Sequence, residues 1–167
     1  MTLDEVNTLP PEVFVESFGS IYEHSPWVAR AAAERRPFSD LSDLYSQMRA
    51  SVDAASSADK LTLLRAHPEL AGKAAIDGTL THASKQEQAS AGLDRMLPDE
   101  FSALTKMNAE YTAKFGFPFI ICVRLTDKAG ILGALKGRLQ NTVEEEFETA
   151  LGEVHKIAQL RLEGVLS

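Results

Sequence analysis

A single cysteine, Cys122, is all that these 167 residues contain, so no disulfide can close within the chain and a reducing compartment suits it. Positive charge is also scarce: 17 Lys and Arg stand against 24 Asp and Glu, a net charge of -7. The basic residues are scattered rather than striped, so they cannot build the positive field that a phosphate backbone requires, and no nucleic-acid partner is expected. Long apolar runs are missing as well. The strongest, Phe117 to Val123, is far too short to cross a bilayer. Met1-Thr2-Leu3-Asp4-Glu5 has neither the positive start nor the apolar core of a signal peptide, and Val165-Leu166-Ser167 is not a peroxisomal address. The expectation is a soluble cytoplasmic protein with no membrane partner. The four histidines, His24, His67, His82 and His155, show no paired-ligand spacing, and one cysteine cannot complete a zinc site, so no metal is expected. Glycine-rich phosphate loops, dinucleotide fingerprints and Gly-x-Ser-x-Gly elbows are absent too.

What is present is ordinary globular composition, 44% apolar and 25% charged, with no repeat, low-complexity tract or linker. These features predict one domain over residues 1–167. Helix signals dominate. Thr2 and Glu5 form a capping-box pattern, with Pro10 and Pro11 cutting that helix short. Pro11 to Phe18 forms the next, closed by Gly19. Ser25-Pro26 opens a helix to about Arg35, and Ser39 or Asp40 caps one bearing Leu41, Leu44, Tyr45 and Met48. Ser57 starts a helix running toward His67. A short polar helix from Thr81 or Ala83 to about Ala91 precedes a long one from Pro98 to Gly116. Thr126 caps a helix through Leu139, and Asn141 or Thr142 begins the last, with Glu145 completing a second capping box. The β-branched and aromatic run 117–123 has no second strand to pair with. The predicted fold is therefore all-α, a compact multi-helix domain with one buried extended segment near 117–123.

Three features break the local pattern. On the last helix Phe147, Ala150, Leu151, Val154, Ile157 and Ala158 form a core stripe, and Arg161 falls on it, seven residues after Val154. A guanidinium there snorkels to water, pairs with a core carboxylate, or clamps a carboxylate or carbonyl oxygen of a substrate. His67 continues the apolar side that bears Leu63 and Leu64, and Pro68 forces the helix to stop there. An imidazole at a helix C-terminus is either a cap or an acid–base group titrating near neutrality. Within Ser84-Lys85-Gln86-Glu87-Gln88, the Ser84, Glu87 and Gln88 side chains share one helical face, which is either a solvated surface or a polar wall. His24 and His155 are expected at the surface, His82 is a weak candidate beside Ser84, and Cys122 reads as a small buried apolar residue.

Tyr22-Glu23-His24-Ser25-Pro26-Trp27-Val28-Ala29, Ala66-His67-Pro68-Glu69-Leu70-Ala71-Gly72-Lys73, the 84–88 run with Ala91-Gly92-Leu93, Asn108-Ala109-Glu110-Tyr111, Lys114-Phe115-Gly116-Phe117-Pro118-Phe119-Ile120 and Ile157-Ala158-Gln159-Leu160-Arg161-Leu162 together resemble the OHCU (2-oxo-4-hydroxy-4-carboxy-5-ureidoimidazoline) decarboxylases. The resemblance implies an all-α enzyme without metal or organic cofactor, commonly a homodimer, that converts a ureidoimidazoline into (S)-allantoin and carbon dioxide during uric acid degradation. It makes His67 the acid–base residue, and Glu87, within the run it places at the ligand, is expected to join in catalysis by orienting His67 or holding ureido N–H groups. It places Pro68, Ser84, Lys85, Gln86, Glu87, Gln88, Phe119, Ile120, Ile121, Cys122, Val123 and Arg161 around the substrate. Composition and amphipathic stripes alone also suit a helical protein-interaction module without catalytic activity. An amidohydrolase acting on a related ureide lacks its metal ligands here.

Overall fold

The computed structural model describes residues 1–166. Among them are ten α-helices, two 3-10 turns and no strand, as the helix signals predict. The helices are α1 (Leu3–Thr8), α2 (Pro11–Phe18), α3 (Pro26–Ala33), α4 (Leu41–Asp53), α5 (Ser57–Arg65), α6 (Lys73–Asp77), α7 (His82–Ser90), α8 (Pro98–Phe115), α9 (Lys128–Arg138) and α10 (Val143–Val165). They belong to two compact units. The first comprises Met1–Ala66 and the chain from His155 onward, and the second is His67–Val154.

In the first unit α2 packs on α3 and α3 on α4, burying Phe14, Phe18, Val28, Ala32, Leu44, Met48 and Val52. Thr2 and Glu5 close the capping box as expected. Asp40 rather than Ser39 caps α4, its carboxylate accepting the Asp43 N–H. Pro26 occupies the first turn of α3, but the Ser25 hydroxyl makes no cap and donates instead to the Glu23 carbonyl, and α3 stops at Ala33 rather than Arg35. Ser56 caps α5 through the Asp59 N–H.

The second unit is built around α8, whose Leu104, Asn108, Tyr111 and Phe115 are buried. Gly116 ends α8 with φ +80°, a left-handed conformation that a side chain at this position would strain. Residues 117–122 then run without regular structure through the core, and Phe117, Phe119, Ile120 and Cys122 are each at most 3% exposed. Val123, expected in the same run, opens a 3-10 turn, Val123–Leu125. Asp127, not Thr126, caps α9, which ends at Arg138 rather than Leu139. Thr142 and Glu145 exchange both bonds of the second capping box at the start of α10. Helix α6 was not legible in the sequence. Its five residues contain no buried side chain to set a period.

Candidate active site

His67 lies just past the C-cap of α5, Ala66, where Pro68 ends the helix as predicted. Its side chain is buried, at 8% exposure. The turn that follows is held from two sides. Asn108 Nδ2 donates to the Leu70 carbonyl at 3.1 Å, and the Ala71 N–H donates to Gln88 Oε1 at 3.0 Å. Ala71 adopts φ +49°, a costly conformation for a residue with a Cβ, and its bond to Gln88 secures it.

The 84–88 run sits on α7, whose N-cap Thr81 accepts the Ser84 N–H. Ser84 and Gln88 are buried, Glu87 is half-buried, and Lys85 and Gln86 are exposed. The shared face read from spacing is therefore present, and it points inward. One of its members, Gln88, is engaged through its oxygen in holding the turn after His67. A cavity of about 390 Å³ is lined by Ala71, Ile76, Lys85, Gln88, Leu93 and Phe101, among others. Of the expected site residues it takes in Lys85 and Gln88.

Helix α7 packs against the Val123–Leu125 turn, which brings the 84–88 run beside the 119–123 run. The two meet electrostatically at Cys122. Burial raises the thiol pKa, and the carboxylates of Glu153 and Glu87 raise it further. The thiol thus stays protonated and serves as a small core group, as the sequence indicated.

Residues 119–123 have no strand partner, so side chains satisfy the backbone. Arg138 Nη1 donates to the Ile120 carbonyl at 2.7 Å, and the Cys122 N–H donates to Glu153 Oε1 at 3.1 Å. Arg138 lies over the Phe119 ring, 4.5 Å from its centroid, and its Nε donates to Glu146 Oε1 at 2.8 Å. Glu146 is fully buried and also accepts from the Tyr111 hydroxyl at 2.6 Å and Asn141 Nδ2 at 2.9 Å. Burial and then the bond to Glu146 push the Tyr111 pKa well up, so the phenol remains a donor. Arg138, Glu146 and Glu153 were not singled out from the sequence. Glu146 closes a run of three glutamates that reads as a solvated first turn. Its signal was the spacing, four residues before Ala150 and eight before Val154, which puts it on the core stripe.

In the first unit Arg161 is indeed on the buried stripe, its side chain 7% exposed. Its Nη2 donates to Glu23 Oε2 at 3.1 Å and its Nη1 to the Ser20 carbonyl at 3.0 Å. Glu23 itself is 2% exposed, so pairing with a core carboxylate, one of the three readings of Arg161, is present. His155 corrects the surface expectation: it is 3% exposed. The Tyr22 hydroxyl lies 2.8 Å from its Nδ1 and Asp53 Oδ1 lies 3.3 Å from its Nε2. The signal was available here too, since His155 follows Leu151 by four residues and precedes Ala158 by three. His24 and His82 are exposed. No group of three His, Cys, Asp or Glu among the described residues is placed to hold a metal ion.

The family model for OHCU decarboxylase matches residues 7–163. The 2-oxo-4-hydroxy-4-carboxy-5-ureidoimidazoline decarboxylase of Haloferax volcanii is 44% identical over 162 residues, 97% of this chain and 94% of that protein. Among solved structures, the crystal structure of (S)-allantoin synthase superposes with a TM-score of 0.82 at 33% identity, covering 100% of this chain and 54% of that longer one. The crystal structure of OHCU decarboxylase in the presence of (S)-allantoin gives a TM-score of 0.72 at 25% identity, over 94% of this chain and 98% of that one. With a match that takes in nearly every residue described above, this chain belongs to the OHCU decarboxylase family.

Proposed function

We propose that this chain, a decarboxylase of uric acid degradation, acts on 2-oxo-4-hydroxy-4-carboxy-5-ureidoimidazoline and releases (S)-allantoin and carbon dioxide. The observation that carries this is the family match across residues 7–163, which includes His67, the 84–88 run, the 119–123 run and Arg161.

The substrate carries a hydroxyl and a carboxylate on one ring carbon beside a carbon–nitrogen double bond. When the bond to the carboxylate breaks, its electron pair moves into the ring and carbon dioxide leaves. The adjacent double bond is the electron sink, so neither metal nor organic cofactor has to supply one. The ring nitrogen that receives the pair takes up a proton; the hydroxyl then gives up its proton to become a carbonyl, and the neighbouring carbon takes one proton on a single face. The protein's task is to orient the departing carboxylate and to move those protons.

In this reading His67 acts on the hydroxyl or returns the proton, and Glu87 orients it or holds ureido N–H groups. Burial of His67 and the packing of α7 against the turn that ends the 119–123 run support that assignment. Pro68 and the Ser84, Lys85, Gln86 and Gln88 positions line the ligand, and backbone groups of Phe119, Ile120, Ile121, Cys122 and Val123 meet its ring or ureido oxygens. Arg161, beyond holding Glu23, is the candidate for offsetting substrate negative charge. The whole chain works as one domain, as a cytoplasmic homodimer. The family resemblance supports the dimer. The location rests on the single cysteine, whose free thiol suits a reducing compartment.

The test is to add the protein to freshly generated substrate and follow chiral allantoin by circular dichroism. Faster carbon dioxide loss with a single-handed product is expected. Unchanged kinetics and a racemic product would reject the reading and favour a non-catalytic helical module.

A further inference from the structure

The second unit holds the 119–123 run at two backbone groups, one on either side of Ile121. In an extended chain, the N–H and C=O of one residue point to one side, while the preceding C=O and the following N–H point to the other. The Ile120 carbonyl and the Cys122 N–H are the pair flanking Ile121, and both are taken by long ionic side chains, Arg138 from α9 and Glu153 from α10. Ile121, between these anchors, makes no hydrogen bond through either backbone group among the described residues. It is also the one residue from 119 to 123 that is not fully buried.

We propose that Arg138 and Glu153 are positioning residues that lock residues 120–122 extended, so that Ile121 presents its N–H and C=O as a two-point edge to the cyclic ureide. This rests on the decarboxylase reading above. A ureide ring offers the matching edge, an N–H donor beside a C=O acceptor, and the backbone groups of half-buried Ile121, which bond to nothing else among the described residues, are accessible to it. Neither residue needs to touch the ligand. Arg138 is anchored by Glu146 and by the Phe119 ring, so its contact with Ile120 is fixed before anything binds. Glu153 supplies the opposite anchor through one carboxylate oxygen, 31 residues away in sequence.

The proposal makes the acceptor reach of Glu153 important and its charge incidental, which two near-isosteric variants separate. Glu153→Gln retains an oxygen at the same reach, whereas Glu153→Asp retains the charge but is one methylene too short. Assayed with freshly generated substrate, Glu153→Gln should stay close to wild type. Glu153→Asp and Glu153→Ala should lose up to about a hundred-fold in kcat/KM, the scale of a small misplacement of binding groups. That loss should fall mainly on KM and should be accompanied by a less single-handed allantoin. Three outcomes would overturn the proposal: all variants matching wild type, Glu153→Asp outperforming Glu153→Gln, or activity falling only in step with the thermal unfolding midpoint while KM stays constant. A wild-type protein that fails to accelerate the reaction at all would instead sink the decarboxylase reading, so the two failures are distinguishable.

Discussion

Among the described residues, each of the two units buries an arginine–glutamate pair, and these two pairs are used differently. In the first unit Arg161 and Glu23, 7% and 2% exposed, tie α10 to the turn before α3, with the spare guanidinium nitrogen on the Ser20 carbonyl. In the second, Arg138 and Glu146, 12% and 0% exposed, send the spare nitrogen to the Ile120 carbonyl, within the run expected to meet the ligand. The device is the same: a carboxylate fixes a guanidinium, and the guanidinium fixes a backbone carbonyl that has no secondary-structure partner. A buried pair of this kind adds little net stability, because desolvation offsets the attraction. What it does is hold irregular backbone in one conformation. In one unit that backbone is a structural turn; in the other it borders the candidate site.

Removing one partner strands the other charge, and this is the largest way to separate the two pairs. Arg138→Leu should cost about 3–5 kcal/mol of stability by leaving Glu146 without its counter-ion, measured by chemical denaturation. Because Glu146 keeps the Tyr111 and Asn141 donors, the double variant Arg138→Leu with Glu146→Gln should recover much of that loss. A double variant as unstable as the single one would show that the pair is not the relevant unit.

A smaller effect is expected from Arg161→Lys. The ammonium can reach Glu23, but the flat fork that also reaches Ser20 is lost, at about 1–2 kcal/mol for a charge-assisted bond. If Arg161 also meets the substrate, KM should rise beyond what the stability change explains. An unchanged KM would confine Arg161 to the same internal role that Arg138 plays toward Glu146.

The smallest effect is expected from pH. Burial, followed by the nearby Arg49, lowers the His155 pKa, with Asp53 opposing. The Tyr22 hydroxyl faces one ring nitrogen and Asp53 the other, an arrangement that a neutral imidazole with its proton toward Asp53 satisfies. Because the folded pKa is below the unfolded value of about 6.5, the contribution is fully present above that pH. It is lost as pH falls from there through the folded value, where the unfolded chain binds the extra proton. Unfolding midpoints should therefore drop between pH 7 and 5 in wild type and drop less in His155→Gln. Parallel curves for the two proteins would remove His155 from the account.

Much of the fold could be read because its helix ends are chemical: Thr2 with Glu5, Asp40, Gly116 and Thr142 with Glu145 all do what their side chains require. The buried polar framework was legible where a polar group interrupts an apolar stripe, as at His67 and Arg161. It was not legible where a charged side chain serves backbone far away in sequence. Glu153 meets Cys122 and Arg138 meets Ile120 only after the chain has folded, and no local spacing records a partner that is an amide or a carbonyl. Glu146 and His155 were different, since both sit on the core stripe by counting. Their residue types, not their positions, made them look like surface.

The most direct measurement is the turnover of His67→Asn on freshly generated substrate, read by circular dichroism beside the unfolding midpoint of the same preparation. A folded variant that has lost about a hundred- to ten-thousand-fold of the enzymatic rate is the predicted result. A folded variant that still makes (S)-allantoin at the wild-type rate would contradict it.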